Sequence, residues 1–326
     1  MTSSPTRIDL AGGTIDIWPL YLFHQGAQTI NAAISLRAEA RIDPRTDGRI
    51  VLRSIDTNVT VEAGSWQELR DEPRLRLLSL LAYFFEARGL TLTTSSQSPA
   101  GAGIAGSSAL NVAVCAAFAD WQRTHYDPEA LLQIALNVEA QTIKVPTGLQ
   151  DYRPAMYGGI AALELDVDAI RRVPLHVDLG ELQQRLVLCY TGEPRNSGTN
   201  NWEITKKHID GDRYVFDCFE RIRDTAVAMR AALDRADWDA VGLAIREEWE
   251  NRKRLAPGVT TPAIDDLIAR AMQAGATAAK VCGAGGGGCL FCYGPPTARE
   301  AVADALSRGG ARVLEFRVDT EGLRVG

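Results

Sequence analysis

The 326 residues suffice for two domains of ordinary size, and an apolar share of 46% suffices for a sizeable core. The net charge of −6 comes from interspersed acids and bases without a basic stripe, which speaks against nucleic-acid binding. No apolar run reaches the ~18 residues that span a bilayer, and Met1-Thr2-Ser3-Ser4-Pro5 lacks a secretory pattern, so no membrane role and a cytoplasmic location are expected.

In chain order, Arg7-Ile-Asp-Leu-Ala-Gly-Gly-Thr-Ile-Asp16 reads as a strand and turn flanked by two charges. Residues 27–43 are extended and β-branched, and 49–62 read as two strands around a turn. Residues 75–88 carry Leu77, Leu78, Leu81, Phe84 and Phe85 at helical spacing. A strand over 90–95 leads into a glycine-rich loop at 99–106, followed by a small-residue helix over about 107–124. The next helix, about 128–143, is announced by Asp127-Pro128, a cap followed by proline in the first turn. Strand character returns at 157–165, a junction is expected at 178–181, and Arg185 to Tyr190 reads as a buried strand. Amphipathic helices fill 212–254 and 261–274. A second glycine loop at 283–288 precedes a strand, Cys289 to Tyr293, and a helix (297–308) and strand (311–318) end the chain. This order predicts an α+β protein of two domains, 1–178 and 179–326, rather than a doubly wound sheet.

Two glycine loops carry the strongest chemical signal. Gly101, Gly103 and Gly106 spell G-x-G-x-x-G, but a helix rather than a strand follows the next helix, so the dinucleotide reading fails. The spacing of Gly101 and Gly106 is that of a Walker A loop, yet Ser107 stands where lysine is required. What remains is phosphate binding: glycines admit close backbone approach, and a helix starting near Ser107 offers unpaired amides and a positive dipole end. Apart from Pro99 and Ile104, every position from 99 to 109 is Gly, Ala or Ser, more than a helix cap alone requires. Gly283-Ala-Gly-Gly-Gly-Gly288, after Lys280-Val-Cys, is costly in entropy unless its backbone approaches something closely.

Phosphoryl transfer also needs an acid for a phosphate-bound Mg²⁺ and a group to receive the acceptor's proton. Glu139 and Asp151 lie on either side of one Pro/Gly turn and could divide these tasks; Asp16 could accept from substrate hydroxyls, Arg7 could neutralise phosphate or partner the base, and Asp9 reads as structural. Each, taken singly, is as readily a solvated surface charge. The six cysteines sit mostly in apolar runs and read as buried thiols, and the C-x-x-C at Cys289 and Cys292 lacks a second pair or a nearby histidine. His24, His125, His176 and His208 show no metal spacing.

The ordered set R-I-x-L-A-G-G-x-x-D at 7–16, P-A-G-x-G-I-x-G-S-S-A at 99–109, E-x11-D at 139–151 and G-A-G-G-G-G at 283–288 resembles the GHMP kinase superfamily over essentially the whole chain. Within it the chain is most similar to sugar 1-kinases acting on D-glycero-D-manno-heptose 7-phosphate, on the strength of Gln150-Asp151-Tyr152 ahead of Tyr157-Gly-Gly, Tyr190-Thr-Gly-Glu-Pro-Arg-Asn-Ser-Gly198, and Trp249 with Leu255-Ala-Pro-Gly-Val-Thr-Thr-Pro262. Fucose-type kinases are next. The resemblance implies an N-terminal ATP-loop domain, a ferredoxin-like C-terminal domain and a sugar or sugar-phosphate substrate between them. It implies ATP over Pro99, Gly101, Ala102, Gly103, Ile104, Ala105, Gly106, Ser107 and Ser108, and Mg²⁺ on Ser108 and Glu139. Asp151 is then the base with Arg7 its partner, and Asp16 a sugar-hydroxyl ligand; Gly12, Gly13, Gly285 and Gly286 are expected to meet the substrate, as is Arg195, whose Thr-Gly-Glu-Pro-Arg-Asn-Ser-Gly turn has a phosphate-friendly composition. The chain departs from the heptose-kinase pattern at Thr14, where a third glycine is usual, and at Ile15-Asp16-Ile17-Trp18-Pro19. A decarboxylase, a kinase of a non-sugar alcohol and a catalytically inactive relative are the alternatives on the same fold.

Overall fold

The computed structural model describes residues 1–193 and 197–326, the side chains of 197–200 aside. The N-terminal part runs β1 (Thr2–Ala11), β2 (Gln28–Pro44), β3 (Ile50–Ser54), β4 (Val59–Ala63), α1 (Arg76–Phe84), β5 (Leu90–Ser96), α2 (Gly106–Trp121), α3 (Pro128–Ile143), α4 (Tyr152–Tyr157), β6 (Ile160–Leu165) and β7 (Ile170–Pro174). The C-terminal part continues α5 (Leu179–Gln184), β8 (Leu186–Tyr190), α6 (Ser197–Ile209), α7 (Arg213–Asp234), α8 (Trp238–Arg252), α9 (Pro262–Gln273), β9 (Ala278–Val281), β10 (Cys289–Tyr293), α10 (Arg299–Arg308), β11 (Arg312–Leu314) and β12 (Arg324–Val325).

An eight-stranded sheet has the order β12-β1-β2-β5-β3-β4, with β6 paired to β2 and to β7. Strand β2 serves two partners on one edge, β6 along Gln28–Ala32 and β5 along Ala38–Pro44, while β1 runs antiparallel along its other edge. Pro5 is tolerated in β1 because the register shifts there, at a bulge between Pro5 and Thr6. Helices α1 to α4 cover this sheet over a core that includes Leu52, Leu81, Leu92, Val112 and Phe118. The second sheet, β11-β8-β10-β9, is antiparallel throughout and has the β-α-β-β-α-β order of a ferredoxin-like unit. Ile8 and Leu10 of β1 share a buried cluster with Leu188 of β8, Phe291 of β10 and Ile245 of α8, so one apolar seam joins the two sheets.

Most predicted elements form within a residue or two, and the differences have local causes. The helix expected over 75–88 stops at Phe84, because Glu86 turns left-handed at φ 48 and the Ala87 amide returns to the Ala82 carbonyl. The helical stretch 212–254 breaks at Ala236, φ 52, and restarts where the Asp237 carboxylate caps the Ala240 amide. The strand expected from 157 starts at Ile160, since Tyr152–Tyr157 is helical and Gly158 and Gly159 take positive φ. The junction at 178–181 is the start of α5, capped by Asp178. The final strand is shorter than 311–318: the chain leaves after Leu314, and Arg317 and Val318 bond instead to Ser35 and Ile34 of β2. Strands β7 and β12 and helix α6 were not anticipated. Cys289 and Cys292, three apart on β10, belong to clusters on opposite faces of their sheet and form no common site. No helix of the described residues is long and apolar enough to cross a membrane.

Candidate active site

The first glycine loop links β5 to α2. Gly101 and Gly103 take φ 66 and 77, and Ala105 at the helix N-cap takes φ 61 without a side-chain hydrogen bond. The first amides of α2 therefore have no side-chain acceptor and point out of a positive helix end. In front of them lies a cleft of about 600 Å³, lined by residues 98–103 and 105–107, Glu139, 145–148 and Asp151. Pro99 closes a turn by accepting from the Ala102 amide, and Ile104 packs its side chain inward while its carbonyl accepts from the Arg7 amide at 3.0 Å.

Glu139, on α3, is buried at the cleft's inner end. Its Oε1 accepts from Ser107 Oγ at 2.6 Å, and its Oε2 accepts from Ser108 Oγ at 2.9 Å and from Tyr152 Oη at 2.7 Å. Burial raises its pKa; the Ser107, Tyr152 and Ser108 hydroxyls oppose the rise, and repulsion from Asp151 adds to it. A buried carboxylate among hydroxyls, repelled by a second carboxylate, suits a hard cation on oxygen ligands. Both serines take part, and Tyr152, to which no role was assigned, buttresses the carboxylate.

Alternation along β1 puts Arg7 and Asp9 on one face and Ile8 and Leu10 on the other. Arg7 Nε and Nη2 donate to Asp151 Oδ1 at 3.0 and 2.5 Å, and Nη1 donates to the Gly103 carbonyl at 3.1 Å and to Asp9 Oδ1 at 3.4 Å. The guanidinium thus joins the glycine loop to the carboxylate on the far side of the cleft. Burial would lower its pKa, but Asp151 and Asp9 hold it above the ordinary arginine value. Asp151 keeps 24% of its side chain exposed towards the cleft. Asp16 is fully buried; its Oδ2 accepts from the Gln150 amide at 2.8 Å, while Oδ1 has no partner. Burial, with repulsion from Asp151, pushes its pKa up to about 7 against the pull of the Gln150 amide and Arg7.

The second glycine loop packs backbone to backbone. A Cβ on Gly288 would fall 2.6 Å from the Ala102 carbonyl oxygen, which also accepts from the Cys289 amide at 2.6 Å. Gly285 abuts Val259, and the Gly286 amide donates to the Val259 carbonyl at 2.8 Å. Gly12 lies against Gln28, and Gly13 against Arg252 and Asp9. Arg195 lies outside the described residues. Behind the site is a buried charge cluster that sequence reasoning missed. Lys280 Nζ lies 3.0 Å from Asp9 Oδ2 and 3.4 Å from Glu248 Oε1, and the Gly283 amide donates to Asp9 Oδ1 at 3.2 Å. Burial would raise the Asp9 pKa, yet Lys280, Arg7 and Arg252 hold it well below the usual carboxylate range. Glu248 and Arg252 stand four apart on the buried face of α8, a spacing equally usual for an exposed pair, so the sequence carried no distinguishing signal.

Comparison with known proteins places the chain in a family. Residues 75–159 match the family "GHMP kinases N terminal domain" and residues 229–312 match "GHMP kinases C terminal". The D-glycero-alpha-D-manno-heptose 7-phosphate kinase of Campylobacter jejuni is 29% identical over 99% of this chain and 97% of its own length. The L-fucokinase/L-fucose-1-P guanylyltransferase of Bacteroides fragilis is 26% identical over 99% of this chain, which spans 38% of that longer protein. The crystal structure of a D-glycero-D-manno-heptose 1-phosphate kinase from Bacteriodes thetaiotaomicron superposes with a TM-score of 0.80 at 25% identity, covering 99% of this chain and 97% of that one. With both domain signatures in order along it, the chain belongs to the GHMP kinases.

Proposed function

We propose that this chain is an ATP-dependent sugar kinase that transfers the γ-phosphate to the anomeric hydroxyl of a heptose phosphate or related sugar, with Mg²⁺ as its metal. The observation that carries the reading is the Arg7–Asp151 pair, set between the phosphate loop and Asp16. The loop amides and the N-terminus of α2 receive the phosphates of ATP. Ser108 and Glu139, with Ser107 beside them, hold the metal, which neutralises phosphate charge when bound. Asp16 accepts from a sugar hydroxyl through its unpartnered oxygen. Asp151 accepts from the attacking hydroxyl, aims it at the γ-phosphorus and takes its proton as the bond forms, and ADP departs with the bridging oxygen. Arg7 fixes the carboxylate's orientation through two of its nitrogens. We take 1–178 as the ATP-loop domain and 179–326 as the ferredoxin-like domain. ADP release over a panel of free and phosphorylated sugars, with phosphorus-31 NMR of the product, tests the proposal. Turnover of a heptose 7-phosphate with an anomeric phosphate signal is expected; no ADP release with any sugar refutes it.

A further inference from the structure

Thr14 lies in the left-handed region at φ 75, where a β-branched residue is rarely found. Such a conformation persists where the surroundings over-determine it. Here they come largely from one helix of the other domain. Arg252, the last residue of α8, is 2% exposed, and its Nη2 donates both to Thr14 Oγ1 at 2.8 Å and to the Gly283 carbonyl. The same head group lies so close over Gly13 that a Cβ there would fall 2.3 Å from Nη1. One turn earlier, Glu248 Oε1 accepts from the Gly13 amide at 3.3 Å. Two side chains on one face of α8 therefore grip two successive residues of the turn that carries Asp16.

The grip continues to the reacting end of the site. Alternating charges run Arg252–Glu248–Lys280–Asp9–Arg7–Asp151, and the Gln150 amide beside Asp151 returns to Asp16, closing a ring around the acceptor turn. This arrangement is not the one stability alone would select. Arg252 Nη1 and Glu248 Oε2 are buried without a hydrogen-bond partner, and orphaned buried groups of this kind point to a role beyond packing.

We infer that Arg252 is a positioning residue for the acceptor: through Thr14 Oγ1 it sets the backbone of the turn that presents Asp16 to the sugar. Arg252 touches no substrate in this scheme. A lysine would not replace it, since one planar fork reaches Thr14 and the Gly283 carbonyl from one nitrogen and leans on Gly13 with the other. The inference rests on the reading of Asp16 as an acceptor ligand, and its test is arranged so that the two can fail separately.

Thr14→Gly removes the hydroxyl while easing the left-handed backbone, so it should fold; Thr14→Ser keeps the hydroxyl. With the sugar that wild type turns over fastest as probe, Thr14→Gly is expected to raise the acceptor KM about tenfold, the loss of one well-made hydrogen bond, with the ATP KM unchanged. Thr14→Ser should recover most of that loss. A second readout needs no substrate: the carboxyl titration of Asp16, followed by carbon-13 NMR, should fall in Thr14→Gly from near 7 towards the ordinary aspartate range as the turn relaxes. If wild type turns over no sugar, the proposed function fails and the titration still decides the inference. An unchanged Asp16 titration in Thr14→Gly overturns it, as does a Thr14→Ser variant as impaired as Thr14→Gly.

Discussion

Replacing Asp16 with asparagine should make stability less sensitive to pH. Asp16 is fully buried with a pKa of about 7, against an ordinary value of 3.8. The native state therefore keeps a proton that the unfolded chain has lost, throughout the window from about pH 4 to pH 7. Where the native state binds more protons, stability falls as pH rises, so wild type loses stability across this window. The ceiling of the effect is roughly 4 kcal/mol, and the part falling between pH 5 and pH 8 is about 2–3 kcal/mol. Asparagine keeps an acceptor for the Gln150 amide and replaces the ionisable carboxyl with a neutral amide. Urea unfolding of both proteins at pH 5 and pH 8 measures the term as a double difference: Asp16→Asn should gain on wild type by about 2–3 kcal/mol more at pH 8 than at pH 5. Curves that keep a constant separation at both pH values would refute the reasoning, because they would mean that Asp16 titrates alike in the folded and unfolded states.

Three further outcomes follow from the site. Asp151→Asn should lower turnover about 10²–10⁴-fold while ATP binding, measured by calorimetry, persists; a variant retaining more than roughly a tenth of wild-type turnover would remove Asp151 as the base. Glu139→Gln should lower activity in a manner that raised Mg²⁺ partly restores, and a fall in sugar affinity with metal dependence untouched would reassign it. Lys280→Met should remove the cation shared by Asp9 and Glu248, leaving them only the longer contacts to Arg7 and Arg252, and destabilise the protein by up to roughly 3–5 kcal/mol, visible as a drop in Tm; an unchanged Tm would show the cluster to be hydrated.

Much of the local structure around the candidate site was legible because it is local in sequence. The glycine loop ahead of α2 shows itself by small residues packed into eleven positions, and α3 by Asp127-Pro128, whose carboxylate does accept from the Glu129 and Ala130 amides. The Arg7–Asp151 contact joins residues 144 apart, and only the family resemblance brought it into view. The cluster of Lys280, Glu248 and Arg252 was illegible for a different reason. A charge on an amphipathic helix ordinarily faces water, and nothing in Trp249-Glu-Asn-Arg252 says that α8 turns this face inward, against β9. Likewise β12 is only two residues long, so its pairing with Thr2 and Ser3 leaves no periodic trace.

On the proposed placement of ATP, the seating of the Gly288–Cys289 backbone on Ala102 gives nucleotide affinity an unexpected dependence. In the proposed function, the glycine loop is ordered from one side by the phosphates of ATP and from the other by the first residue of β10. Two processes that order the same segment are thermodynamically linked, and the linkage is reciprocal. ATP at a hundred times its Kd adds about 2.7 kcal/mol to whatever fold it requires, and part of that requirement is a properly formed β10. Conversely, loosening the cluster in which Phe291 and Leu188 pack would then weaken ATP binding by as much as it frees the loop, although neither residue lines the cleft in front of α2. On the proposed placement of ATP, its affinity is thus a reporter on the integrity of the ferredoxin-like half.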